Sequence, residues 1–134
     1  MQRTRLHHVG IIMPTMARAE EFLALFGFEK DYMEYVEEYQ ADCLFTRYGP
    51  NESPVELIIP RGGPLADFQG GKGGIHHIAL EVADVAAARE EYEAVGKEML
   101  ERVPVAGAGG ILVNFLRPRH GLGVLVEFVE RIDT

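Results

Sequence analysis

His8-Val9-Gly10-Ile11-Ile12-Met13-Pro14-Thr15-Met16-Ala17-Arg18-Ala19-Glu20-Glu21 lies without a gap on His77-Ile78-Ala79-Leu80-Glu81-Val82-Ala83-Asp84-Val85-Ala86-Ala87-Ala88-Arg89-Glu90. The offset is 69 (77 − 8), and it still holds at Gly27 and Gly96. Self-similarity at a fixed offset means one supersecondary unit used twice. Each copy reads as an apolar strand, a helix and a glycine stop. In the first, Leu6 to Met13 is the strand, Thr15 the N-cap, and Ala17 to Phe26 the helix, with Phe22, Leu23 and Phe26 on one face. In the second, Ile75 to Val82 is the strand and Asp84 the N-cap. Val85, Ala88, Tyr92 and Val95 then form the buried stripe. Gly27 and Gly96 suit a helix C-terminus, where a left-handed residue is favoured.

Three strands are expected after each helix. In the first copy they run over Phe28–Val36, Ala41–Tyr48 and Pro54–Ile59, and in the second over Met99–Pro104, Ile111–Leu116 and Val124–Val129. Turn residues punctuate them: Gly49-Pro50-Asn51, Gly107-Ala108-Gly109-Gly110 and Gly121-Leu122-Gly123. The fold class is therefore α+β, two tandem βαβββ modules in a single domain over residues 1–134. The first module covers 5–60, a linker 61–73, and the second 74–130, with a short helical turn expected around Pro64–Phe68. A unit this small leaves one sheet face uncovered. Two such sheets related by a pseudo-twofold axis are expected to curl around a shared cavity.

Composition narrows the functions. The net charge is −8, with 21 acidic against 13 basic residues, so no basic face is offered to nucleic acid. No apolar run has membrane-spanning length, and no signal-type apolar segment follows the basic start. Cys43 is the only cysteine, which excludes an intrachain disulfide and suits a cytoplasmic location. The expected partner is a small molecule.

The residues that carry chemistry repeat with the fold. His8 stands on the first strand and Glu56 in Val55-Glu56-Leu57-Ile58-Ile59. His77 and Glu127, in Val124-Leu125-Val126-Glu127-Phe128-Val129, stand at the same places in the second copy. A carboxylate inside an apolar strand is costly unless paired or metal-bound. Singly, each residue reads more simply as a packed or solvated strand residue. As a pair of pairs they make a four-ligand set, His8, Glu56, His77 and Glu127, for one divalent ion such as Co, Ni, Zn or Mn. His7 and His76 repeat one residue earlier, on the opposite strand face, and are assigned to packing or support of the ligands.

These residues resemble the vicinal oxygen chelate superfamily, the glyoxalase fold, over nearly the whole chain. The second module is similar to the methylmalonyl-CoA epimerases. The similarity is carried by Gly73-Gly74-Ile75-His76-His77-Ile78-Ala79-Leu80-Glu81-Val82, Gly107-Ala108-Gly109-Gly110, Val113-Asn114-Phe115-Leu116-Arg117-Pro118-Arg119 and Gly123-Val124-Leu125-Val126-Glu127. The resemblance implies that His77 rather than His76, and His8 rather than His7, bind the metal, together with Glu127 and Glu56. There are departures. The epimerases often have His where Gly109 stands, and His-Pro-Lys where Arg117-Pro118-Arg119 stands. Tyr48-Gly49-Pro50-Asn51-Glu52 through Val55-Glu56-Leu57 is more similar to glyoxalase I.

The resemblance further implies a metal-dependent epimerase of methylmalonyl-CoA or a related 2-substituted acyl-CoA. It would act by proton abstraction and return through a metal-stabilised enediolate. Glu127 and Glu56 are the expected acid/base groups. Asp42 is a further acidic residue near a place where epimerases carry one, and the preferred reading for it is a solvated strand residue. Lys72, Arg117 and Arg119 are available for the phosphates of CoA. A homodimer is usual among proteins of this kind. The alternatives are a lactoylglutathione lyase of the glyoxalase I type, an extradiol-type dioxygenase, or a metal-free binding protein of the same fold. The four-ligand set weighs against the dioxygenase, which needs more open metal positions.

Overall fold

The computed structural model describes residues 1–132. Two compact units emerge, one of residues 8–76 and one joining Met1–His7 to residues 77–132. Apart from the ends of two strands, each corresponds to one βαβββ module.

The first module contains β1 (Arg5–Ile12), α1 (Met16–Phe26), β2 (Lys30–Val36), β3 (Ala41–Thr46) and β4 (Val55–Pro60). Its sheet runs β2-β3-β4-β1, antiparallel except for the parallel β4–β1 pair. The second contains β5 (Gly74–Glu81), α2 (Val85–Ala94), β6 (Val105–Gly107), β7 (Ile111–Phe115) and β8 (Val126–Arg131). Its sheet runs β6-β7-β8-β5, with β8–β5 parallel.

The helices are built as the repeat predicts. The Thr15 side chain accepts from the Arg18 amide and the Asp84 side chain from the Ala87 amide, satisfying N–H groups that a helix start leaves free. Gly27 (φ 74°) and Gly96 (φ 81°) are both left-handed. Ala19 and Ala88, at the repeat offset, are fully buried and let each helix approach its sheet. Under α1 lie Leu44, Leu57 and Ile59, flanked by Met16, Phe22 and Leu23. Under α2 lie Val82, Met99, Leu116 and Phe128, packed with Val85 of the helix itself, and Tyr92 is tilted against Phe128 at 4.9 Å. Phe26 and Val95, expected on the buried stripes, are exposed instead. Phe26 is the last residue of α1 and Val95 caps the end of α2, where the helices leave their sheets.

Two expectations change in the second module. Met99–Pro104 is not a strand: only a bridge from Met99 to Leu116 forms there, and the edge strand is β6, at Val105–Gly107. The cause is Glu101, whose carboxylate accepts the Phe115 amide proton (2.7 Å) in place of a strand carbonyl. The linker turn is longer than expected, a kinked 3-10 segment over Pro64–Gly71. Its Leu65 and Phe68 pack on Ile12, Ala41 and Ile58, on the face of the first sheet away from α1. Gly73 ends the linker with φ 76°, so close to the Ile12 carbonyl that a Cβ would overlap it. No helix among the described residues is long and apolar enough to cross a membrane.

Candidate active site

Strand register assembles one half-site in each module. In the first, Phe45 lies directly opposite Glu56, and Glu56 opposite Gly10. Directly opposed residues share a sheet face, and so do residues two apart on a strand. Glu56, Phe45 and His8 therefore stand on one face, the one turned away from α1. His8 Nε2 is 3.2 Å from Glu56 Oε1, and the Phe45 ring meets the imidazole edge-on at 5.1 Å. The second module repeats this arrangement. Phe115 is opposite Glu127, and Glu127 opposite Ala79. His77 Nε2 is 3.4 Å from Glu127 Oε1, and Phe115 meets His77 edge-on at 5.2 Å. Gly10 and Ala79, small residues at the repeat offset, leave room beside each carboxylate.

All four polar residues are buried: His8 is 1% exposed, His77 4%, Glu127 5% and Glu56 8%. Each half-site thus offers an imidazole nitrogen and a carboxylate oxygen in apolar surroundings, where a carboxylate is costly unless it is paired or bound to a cation. Nitrogen and oxygen donors of this kind fit a first-row divalent cation.

The neighbouring histidines lie elsewhere. His7 is buried. His76 is half-buried with its ring edge-on to Phe68 at 5.2 Å. Asp42 is not the freely solvated residue expected from sequence. It stands on the α1 face of β3 and takes two charged hydrogen bonds from Arg61, at 2.7 and 3.0 Å. Those bonds hold its carboxyl below the usual carboxylate value. The Arg61 guanidinium in turn lies 4.2 Å over the Tyr35 ring. Arg117 and Arg119 converge on one carboxylate, Glu98, at 3.3 and 3.6 Å. Lys72 is exposed.

Sequence reading missed the aromatic partners. Phe45 and Phe115 sit at matching places, and aligning Leu44-Phe45-Thr46 with Asn114-Phe115-Leu116 shows them. It also missed Tyr32, which lies opposite Phe45 and stacks on it at 5.3 Å. Burial, and next the charge of Glu56, push the Tyr32 hydroxyl well above its ordinary ionisation range, so it keeps its proton. A pocket of about 420 Å³ in the first module is bounded in part by Phe28, Glu29, Arg47, Tyr48 and Glu52. Two carboxylates against one guanidinium make it a poor seat for phosphate.

Residues 7–115 match the family model of the Glyoxalase/Bleomycin resistance protein/Dioxygenase superfamily. The ethylmalonyl-CoA/methylmalonyl-CoA epimerase of Cereibacter sphaeroides is 36% identical over 132 residues, spanning 94% of this chain and 97% of that protein. A Streptomyces coelicolor methylmalonyl-CoA epimerase variant in complex with 2-nitronate-propionyl-CoA superposes with a TM-score of 0.85 at 29% identity, over 96% of this chain and 98% of that one. A methylmalonyl-CoA epimerase in complex with methylmalonyl-CoA and NH4+ superposes equally well, with a TM-score of 0.85 at 29% identity and 98% of both chains covered. The fold expected from the repeat is thus the fold of these proteins.

Proposed function

The chain belongs to the Glyoxalase/Bleomycin resistance protein/Dioxygenase superfamily, and from that premise we propose that it is a divalent-metal-dependent epimerase of methylmalonyl-CoA or a related 2-substituted acyl-CoA. The observation that carries the reading is the buried His–Glu pair, built twice on corresponding strands, in a chain whose relatives include enzymes with that name.

His8, Glu56, His77 and Glu127 would together hold one ion. When bound, the ion supplies charge withdrawal from the substrate carbonyl. The protein's own residues do the rest. An epimerase needs an acid/base group for each face of the carbon that inverts, and Glu127 and Glu56 fill those two roles. One carboxylate takes the proton at C2, and the other returns a proton from the opposite side. The edge-to-face contacts with Phe45 and Phe115 fix the imidazoles.

The test is deuterium incorporation at C2 of methylmalonyl-CoA in D₂O with added Co²⁺. Incorporation with inversion supports the reading. Turnover of the methylglyoxal–glutathione adduct with no C2 exchange would replace it with a lyase of the glyoxalase I type.

A further inference from the structure

The two half-sites differ in one group. Across the first sheet, Tyr32, Phe45, Glu56 and Gly10 form a row of directly opposed residues on β2, β3, β4 and β1. Opposed residues project to one face, so the Tyr32 side chain belongs to the face that carries His8 and Glu56. In the second module the row is Phe115, Glu127 and Ala79. At its outer end stands Leu100, whose amide donates to the Phe115 carbonyl (2.7 Å) next to the Met99–Leu116 bridge. Leu100 has no polar side-chain group.

Tyr32 is half-buried, and its ring is fixed by the stack on Phe45. Among the described residues its hydroxyl makes no hydrogen bond, and only burial and nearby charges act on it. A phenol O–H held at the edge of a carboxylate site, with its ring immobilised and its proton retained, is a donor without a protein acceptor. Asp31, Glu34 and Glu56 surround it with negative charge. A neutral donor is therefore the group this side can offer to an oxygen of an anionic substrate.

We propose that Tyr32 is a substrate-binding residue, its hydroxyl donating a hydrogen bond to a carboxylate or carbonyl oxygen of the substrate at the first half-site. This rests on the enzyme reading above for the oxygen it binds. It makes the two half-sites chemically unequal, with a hydrogen-bond donor in the first and a leucine at the matching place in the second.

The test is Tyr32→Phe, which keeps the ring and its stack. The expected result is a fall in kcat/KM of roughly 10- to 100-fold, the loss of one hydrogen bond to a charged oxygen. Co²⁺ affinity and Tm should stay unchanged. Wild-type kcat/KM in the variant would overturn the proposal. So would a loss of Co²⁺ affinity in step with activity, because Tyr32 would then merely support the ligands. The pair is compared on whichever substrate the wild type turns over, methylmalonyl-CoA or the methylglyoxal–glutathione adduct. Failure of the epimerase reading and failure of the Tyr32 assignment are thereby separated, while turnover of neither substrate overturns both.

Discussion

Leu44 and Asn114 stand at corresponding places in the two modules, and both are almost fully buried. Beneath α1, Leu44 joins an apolar cluster with Ala19, Leu57 and Ile59. Beneath α2, Asn114 takes a hydrogen bond from Arg89 (3.3 Å) and donates to the Glu101 carboxylate (2.9 Å). The same Glu101 oxygen accepts the Phe115 amide. The first module thus holds its half-site with an edge strand, β2, that places Tyr32 opposite Phe45. The second holds an equivalent half-site with a buried polar network where the edge strand breaks off. Closely similar His–Glu–Phe geometry thus stands on two different supports.

The strongest break in the comparison is removal of either glutamate. Glu56→Ala and Glu127→Ala are each expected to lower kcat by roughly 10²- to 10⁴-fold, the scale of a lost acid/base group. Steady-state epimerisation kinetics checks this. An unequal loss, with one variant near wild type, would show that a single glutamate suffices.

Next come the aromatic partners. Phe45→Ala and Phe115→Ala should each cost about 3–5 kcal/mol of stability by emptying a buried ring site. Phe45→Ala should cost more, by about 0.5–1.5 kcal/mol, because it also removes the Tyr32 stack. Urea denaturation of both variants measures the difference.

Exchanging the supports sharpens the contrast. Asn114→Leu removes the amide between Arg89 and Glu101 and should destabilise by about 1–3 kcal/mol. Leu44→Asn places an amide in the apolar cluster under α1 and should cost at least about as much. If Asn114→Leu proved stabilising, the polar network would not be what supports the second half-site.

The smallest effect concerns Asp42, which has Leu112 as its counterpart. Arg61 lowers the Asp42 carboxyl below its unfolded-state value. The pair therefore adds stability above the ordinary carboxylate range, and this is lost as pH falls through the lowered value. Asp42→Asn should flatten the acid limb of a Tm-against-pH curve measured from about pH 6 to about pH 3. An unchanged limb would show that the ion pair is energetically idle.

Much of this was legible in the sequence, for reasons the structure makes physical. The gapless repeat marks Thr15 with Asp84, Ala19 with Ala88 and Gly27 with Gly96, because helix caps and close helix–sheet contacts restrict residue type locally. His8 with Glu56 and His77 with Glu127 stood out because carboxylates are rare in apolar strands. The second edge strand was misplaced because a side chain, Glu101, outcompetes a backbone carbonyl for the Phe115 amide, and nothing in strand periodicity reports that. Tyr32 escaped notice because its meaning lies in cross-strand register with Phe45 and Glu56. The Asp42–Arg61 pair joins residues on β3 and just beyond β4, a contact that only the strand pairing brings about.

If the two half-sites serve one ion, a Co²⁺ titration followed by the visible d–d absorption saturates at one ion per chain, and both Glu56→Ala and Glu127→Ala lose that tight site. Saturation at two ions per chain, with each variant losing only one, would show two separate sites.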